Sequence, residues 1–160
     1  MKLFAAILLI SGLTAQSALA ADSKSSSALF GVWTVDTTRL PMAPSTRPKS
    51  VTITFAEEGG DRLRMQVEVI NPDGGKLEAD GVTPLDGTPT PVKSNFEADL
   101  SATFMPSREV LVMQLAKDGN PASTRIYAVG ADGNSMIETV AYFDSTGRPV
   151  LRKNYFTRLR

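Results

Sequence analysis

Apolar and polar residues alternate along much of the chain, and the alternation has a period of two. In "RLRMQVEVI", Leu63, Met65, Val67 and Val69 fall on one side, with Arg62, Arg64, Gln66 and Glu68 on the other. A strand sends successive side chains to opposite faces, so this pattern predicts one dry face and one wet face. "SVTITF" repeats it, with Val51, Ile53 and Phe55 set against Thr52 and Thr54. From Phe30 onward no stretch holds a helical period for three turns.

Turn chemistry separates the alternating runs. Asp-Gly stands at Asp73-Gly74, Asp80-Gly81, Asp86-Gly87, Asp118-Gly119 and Asp132-Gly133. Glycine accepts positive φ freely and Asp tolerates it, so such pairs suit tight hairpins. "EEGGD" and "DSTGR" mark two further reversals. The pattern predicts an all-β fold of about eight or nine short strands joined as a meander. A single up-and-down antiparallel barrel is the expected architecture, because closure removes exposed strand edges.

Two proline-rich segments interrupt the meander, "RLPMAPSTRPK" from Arg39 to Lys49 and "TPLDGTPTPVK" from Thr83 to Lys93. Proline cannot donate to a central ladder, so both are expected as covering loops or a lid at one barrel end. "EVLVMQLA" carries apolar residues on both faces, Val110 and Val112 against Leu111, Met113 and Leu115. That predicts an outer covering element or an association surface.

Composition adds a compartment. Lys2, the run "LFAAILLI" and the small residues Ala18 to Ala20 form a leader that predicts cleavage after Ala20 and export, to the periplasm or beyond. The domain reading is a signal peptide over 1–20, a flexible polar tail over 21–29 and one barrel domain over 30–160. A mature chain of 160 − 20 = 140 residues suits one domain. With no cysteine, packing alone must hold it. The 17 basic and 17 acidic residues balance, and loss of Lys2 with the leader changes little. A near-neutral total argues against nucleic acid or a strongly charged membrane as the main partner, and no stable span is expected after cleavage.

The absence of histidine narrows the chemistry further. No Ser-His-Asp triad, Cys-His pair or His-based zinc site can be built. The Asp-Gly pairs lack the ligand-dense spacing of a calcium loop. A pair of carboxylates remains formally open, but no spacing singles one out. The expectation is therefore a protein that is not an enzyme and has neither catalytic residues, metal nor cofactor.

One internal echo suggests a binding site. Gly119-Asn-Pro121 followed by Arg125-x-Tyr127 returns as Gly147-Arg-Pro149 followed by Lys153-x-Tyr155. Residues two apart share a strand face, so Arg125 with Tyr127, and Lys153 with Tyr155, form two cation–phenol pairs. Facing the lumen, they would converge and call for an anionic head group. Glu138 could instead pair with Arg125, and the bland account sets these residues outside, as solvated strand faces usually are.

Gly31-x-Trp33 opens the first predicted strand, and "NYFTR" lies near the end of the chain. With the proline-rich loop and the Asp-Gly hairpins, these stretches resemble small exported bacterial lipocalin-like (calycin) barrels over Phe30 to Arg158. The resemblance implies a first strand beginning Gly-x-Trp, and an arginine from the last strand over the indole, here Arg158. It also implies a cavity for a small apolar or amphiphilic ligand. The functional expectation is a binding protein for such a molecule, with an anionic head as one option. Methionine suits adaptable pockets as well as ordinary cores, and Met42, Met65, Met105, Met113 and Met136 remain in the mature chain. The alternative is a non-catalytic envelope interaction or structural module with a filled interior, a protease-inhibitor-like barrel included.

Overall fold

A computed structural model describes residues 27–159. The expected signal peptide over 1–20 and residues 21–26 of the expected tail lie outside the described residues. Eleven strands form one antiparallel sheet: β1 (Gly31–Val35), β2 (Ser50–Glu57), β3 (Arg62–Ile70), β4 (Lys76–Pro84), β5 (Thr90–Pro91), β6 (Lys93–Ser94), β7 (Leu100–Ser107), β8 (Val110–Lys117), β9 (Asn120–Val129), β10 (Ser135–Phe143) and β11 (Pro149–Arg158). Their order is β5-β7-β8-β9-β10-β11-β1-β2-β3-β4-β6. Only two short 3-10 turns, Thr37–Arg39 and Pro44–Thr46, interrupt the strands among the described residues.

The strand count exceeds the eight or nine expected, and the second proline-rich segment is the reason. It folds as β5 and β6 rather than as a loop or lid, and each pairs on one side only, β5 with β7 and β6 with β4. Pro89 and Pro91 have no N–H to give a second neighbour, which confines this segment to sheet edges. Because β5 and β6 adjoin in sequence, the two edges of the sheet meet and the barrel is nearly closed. Val92 N donates to Asp99 O and Asn95 N to Glu78 O across this seam.

Three of the five Asp-Gly pairs turn hairpins, and two do not. Asp118 and Gly119 both take positive φ, 50° and 74°, as a two-residue hairpin of the twist-matched type requires. Asp73-Gly74 and Asp132-Gly133 also lie in hairpin turns, and Asp86-Gly87 lies in the connection to β5. Asp80-Gly81 does not turn: it sits inside β4. Asp80 pairs outward with Arg64, and Gly81 lies beneath Val92, whose Cγ2 would stand 3.3 Å from an added Cβ.

One end of the barrel is solid. Leu29, Trp33, Phe55, Leu63, Leu111, Tyr127, Met136 and Phe156 are all buried there. Phe55 and Phe156 meet Tyr127 edge to face, with centroids 5.3 and 6.4 Å away. Residues 27–29, expected as the end of a flexible tail, are docked at this end. Ala28 N and Ser27 Oγ donate to Arg108 O, and Leu29 O accepts the Trp33 indole N–H at 2.8 Å. A buried indole N–H needs an acceptor, and that need fixes this stretch of chain. On the outer wall, Val112 stands in register between Phe104 and Ile126, while Leu111, Met113 and Leu115 point inward.

Candidate functional site

The opposite end is hollow. A cavity of about 330 Å³ lies between the strands there. Its walls are the inward positions of β2 and β3, with Val51, Ile53, Met65, Val67 and Val69 among them, faced by Met113 and Leu115 of β8. On β4 the inward positions are Ala79, Gly81 and Thr83, and the small size of the first two leaves the space open. The first proline-rich segment borders the mouth through Leu40, Pro41, Met42, Thr46 and Pro48. Three of the five methionines among the described residues, Met42, Met65 and Met113, line this space.

Among these apolar walls sits a charged cluster. Tyr127 on β9 stands opposite Glu138 on β10, which stands opposite Asn154 on β11. Arg125 lies two residues from Tyr127 on the same face. Its Nη1 donates to Glu138 Oε1 at 2.5 Å, and its Nη2 donates to Glu97. Asn154 Nδ2 donates to the other Glu138 oxygen at 2.6 Å. The Arg125 and Glu138 side chains are only 12% and 2% exposed, so this is an ion pair inside the barrel; Glu97, at 30%, is nearer solvent.

The electrostatics follow from burial and these neighbours. Burial alone would weaken the hold of Arg125 on its proton. The two carboxylates beside it, Glu138 and Glu97, oppose this and raise its pKa above the usual arginine value. Burial pushes the Tyr127 hydroxyl well above the ordinary tyrosine value, Glu138 adds to that, and Arg125 only partly offsets it. Tyr127 is therefore a neutral phenol. Its hydroxyl feels both charges without a well-aligned hydrogen bond to either. Four other buried polar atoms on the cavity wall also lack a partner: Thr83 Oγ1, Ser101 Oγ, Arg125 Nε and Asn154 Oδ1.

Of the four residues singled out by the echo, Arg125 and Tyr127 face the lumen, and Lys153 and Tyr155 do not. Lys153 is exposed, and Tyr155 carries Arg39 on its outer ring face at 3.2 Å. Register explains the split. Tyr127 is carried through Glu138 to Asn154, 27 residues on, whereas the echo repeats at 28. A slip of one residue exchanges the two faces of a strand. The lumen neighbours contributed by β11 are thus Arg152 and Asn154, which the echo did not indicate. Glu97 arrives from the connection between β6 and β7, where no periodicity marks it.

The motif residues lie at the solid end. Gly31 has φ of +137°, a backbone setting that L side chains rarely adopt. Trp33 is fully buried and pairs in register with Arg158. The Arg158 guanidinium lies 4.1 Å over the indole. The same guanidinium donates to the carbonyls of Gly133, Phe30 and Ala28. One side chain therefore ties the β9–β10 turn, the last strand and the segment before β1 together over the tryptophan. No protein-family model matches the chain, and no curated protein matches it in sequence.

Proposed function

We propose that this protein is a lipocalin-like binding barrel for a small amphiphile, which it holds in the cavity opposite Trp33. The observation that carries the reading is the contrast within that cavity. Its walls are largely apolar, yet five buried polar atoms on them have no well-formed partner. Buried polar groups need hydrogen bonds, and a ligand head with both donors and acceptors would supply them. The apolar part of the molecule would lie against Val51, Val67 and Val69 toward the mouth. Arg158 over Trp33 supports the family likeness, and the leader supports an exported setting.

The head group should be polar and uncharged rather than anionic. Arg125 already faces two carboxylates, so the cluster carries one formal positive charge against two negative. A desolvated anion beside Arg125 would meet only a cation already engaged by two carboxylates, while Arg152, the other cation on the cavity wall, stands exposed at the rim over Tyr142. Lys153, the second cation that an anion site would have used, points outward.

The test uses N-phenyl-1-naphthylamine, a neutral fluorophore that brightens in apolar cavities. The parent should bind it, and Ala79→Trp, which fills the space, should not. Decanol should displace the probe at a concentration about tenfold or more below that needed for decanoate, the cost of placing an unpaired carboxylate beside Glu138 and Glu97. Absence of probe binding, or equal binding by the filled variant, would overturn the reading.

A further inference from the structure

The two most exposed large apolar side chains among those described are neighbours. Phe143 is 71% and Leu151 is 76% exposed. On the β10–β11 hairpin, Ala141 pairs with Leu151 and Phe143 with Pro149. Phe143 and Leu151 are therefore diagonal neighbours on the outer face, within reach of one another. They flank the turn at residues 144–148, at the cavity end of the barrel.

Cations surround this apolar point. Arg148 lies in the turn, and Lys153 follows Leu151 by two on the same face. Arg152 stands at the rim, 5.8 Å over Tyr142, and Arg39 is stacked on Tyr155. Arg47 and Lys49 continue the rim on the segment leading into β2. None of these six joins an ion pair among the described residues. Asp144 in the turn and Asp36 after β1 are each turned onto their own loop. Asp144 accepts hydrogen bonds from Thr146 and Arg148 N, and Asp36 from Thr38. On the wall formed by β2, β3 and β4, by contrast, Lys76 is matched with Glu68 and Glu78, and Arg64 with Glu58 and Asp80. The balanced total charge conceals this local gathering of cations at the rim.

We infer that the β10–β11 hairpin docks on an anionic lipid surface, with Phe143 and Leu151 inserted among the headgroups and the flanking cations against lipid phosphates. A convex tip of two apolar side chains is too small for an ordinary protein interface, which buries on the order of 800 Å² per partner. A lipid surface moulds itself to such a wedge, and juxtaposed cations add attraction to anionic headgroups. The inference does not depend on what the cavity holds. It would place the cavity mouth beside the bilayer.

Co-sedimentation with vesicles tests it, using protein expressed from the complete coding sequence and variants prepared in the same way. The parent should sediment with phosphatidylcholine vesicles containing about one-third phosphatidylglycerol, far less with pure phosphatidylcholine, and less as salt rises. Phe143→Ser with Leu151→Ser should weaken binding about tenfold or more, as should Arg148→Glu with Lys153→Glu. All four positions are exposed, so an unchanged melting temperature serves as the folding control. Failure of the parent to bind anionic vesicles, or undiminished binding by the Phe143/Leu151 variant, would overturn the inference. So would lipid-free self-association of the parent that this variant abolishes, which would assign the tip to a second copy of the chain.

Discussion

The two ends of this barrel are built from the same strands, yet one is solid and the other hollow. The alternation that sets the inward face runs through both. What differs is the size of the residue at each inward position. At the solid end the series includes Trp33, Phe55, Leu63 and Leu111, with Tyr127 and Phe156 at the boundary; at the hollow end it includes Val51, Val67, Val69, Ala79 and Gly81. An eight-stranded barrel is just wide enough for its own side chains to fill it, and the nine longer strands here leave more room. Small residues on β4 then convert that room into a cavity. Pattern decides which way a side chain points, and volume decides whether the interior is filled.

The sharpest way to break this comparison is to shorten one residue at each end. Trp33→Ala should cost about 3–5 kcal/mol, because it empties a packed site and leaves Arg158 without the ring beneath it. Val67→Ala should cost less than about 1 kcal/mol, since its side chain already borders open space. Urea unfolding of both variants gives the two numbers. Similar costs at the two positions would mean that the ends do not differ in packing.

A smaller effect should come from the charged cluster where the two regimes meet. Arg125→Met strands Glu138 inside the barrel with Asn154 as its remaining partner. The expected loss is about 3 kcal/mol, the lower part of the range for breaking a buried pair, because Glu97 stands nearer solvent. Adding Glu138→Gln should recover much of it, since no buried charge is then left uncompensated. A double variant no more stable than Arg125→Met would show that the carboxylate was already solvated.

The alternation in β2 and β3 and the Asp-Gly turns made the barrel legible in the sequence, because both are local. The strand count was less legible. β5 and β6 are two residues each and exist only because the seam between β4 and β7 holds them. Asp80-Gly81 carries the same dipeptide signal as the true hairpins, but tertiary packing under Val92 overrides it. The candidate site was half legible. Arg125, Tyr127 and the pairing option of Glu138 follow from spacing on one strand and its charge partners. Asn154 depends on register across two hairpins, and the one-residue difference between 27 and 28 sent Lys153 and Tyr155 to the wrong face. Glu97 comes from an irregular connection, and only the folded chain brings it to Arg125.

The smallest expected effect tests whether the two ends also differ in their turns. Asp132, at the solid end, accepts hydrogen bonds from Asn134 N, Ser135 N and Ser135 Oγ. Asp144, at the hollow end, accepts them from Thr146 N, Thr146 Oγ1 and Arg148 N. These donors favour the charged form and hold both carboxyls below the ordinary aspartate value, led by the Ser135 backbone N–H for Asp132 and the Thr146 hydroxyl for Asp144. A carboxyl whose folded pKa is depressed binds its proton more readily in the unfolded chain. Its contribution is thus present above the unfolded pKa of about 4, and is lost as pH falls through the lower folded value. Both groups are solvent-exposed, so each contribution is small. The melting temperature followed from pH 6 downward should fall more steeply below about pH 4. Asp132→Asn and Asp144→Asn keep an acceptor oxygen but lose the titration, so each should flatten that acid limb slightly and to a similar degree. A limb flattened by only one of them would mean that the turns, like the interiors, are not equivalent at the two ends.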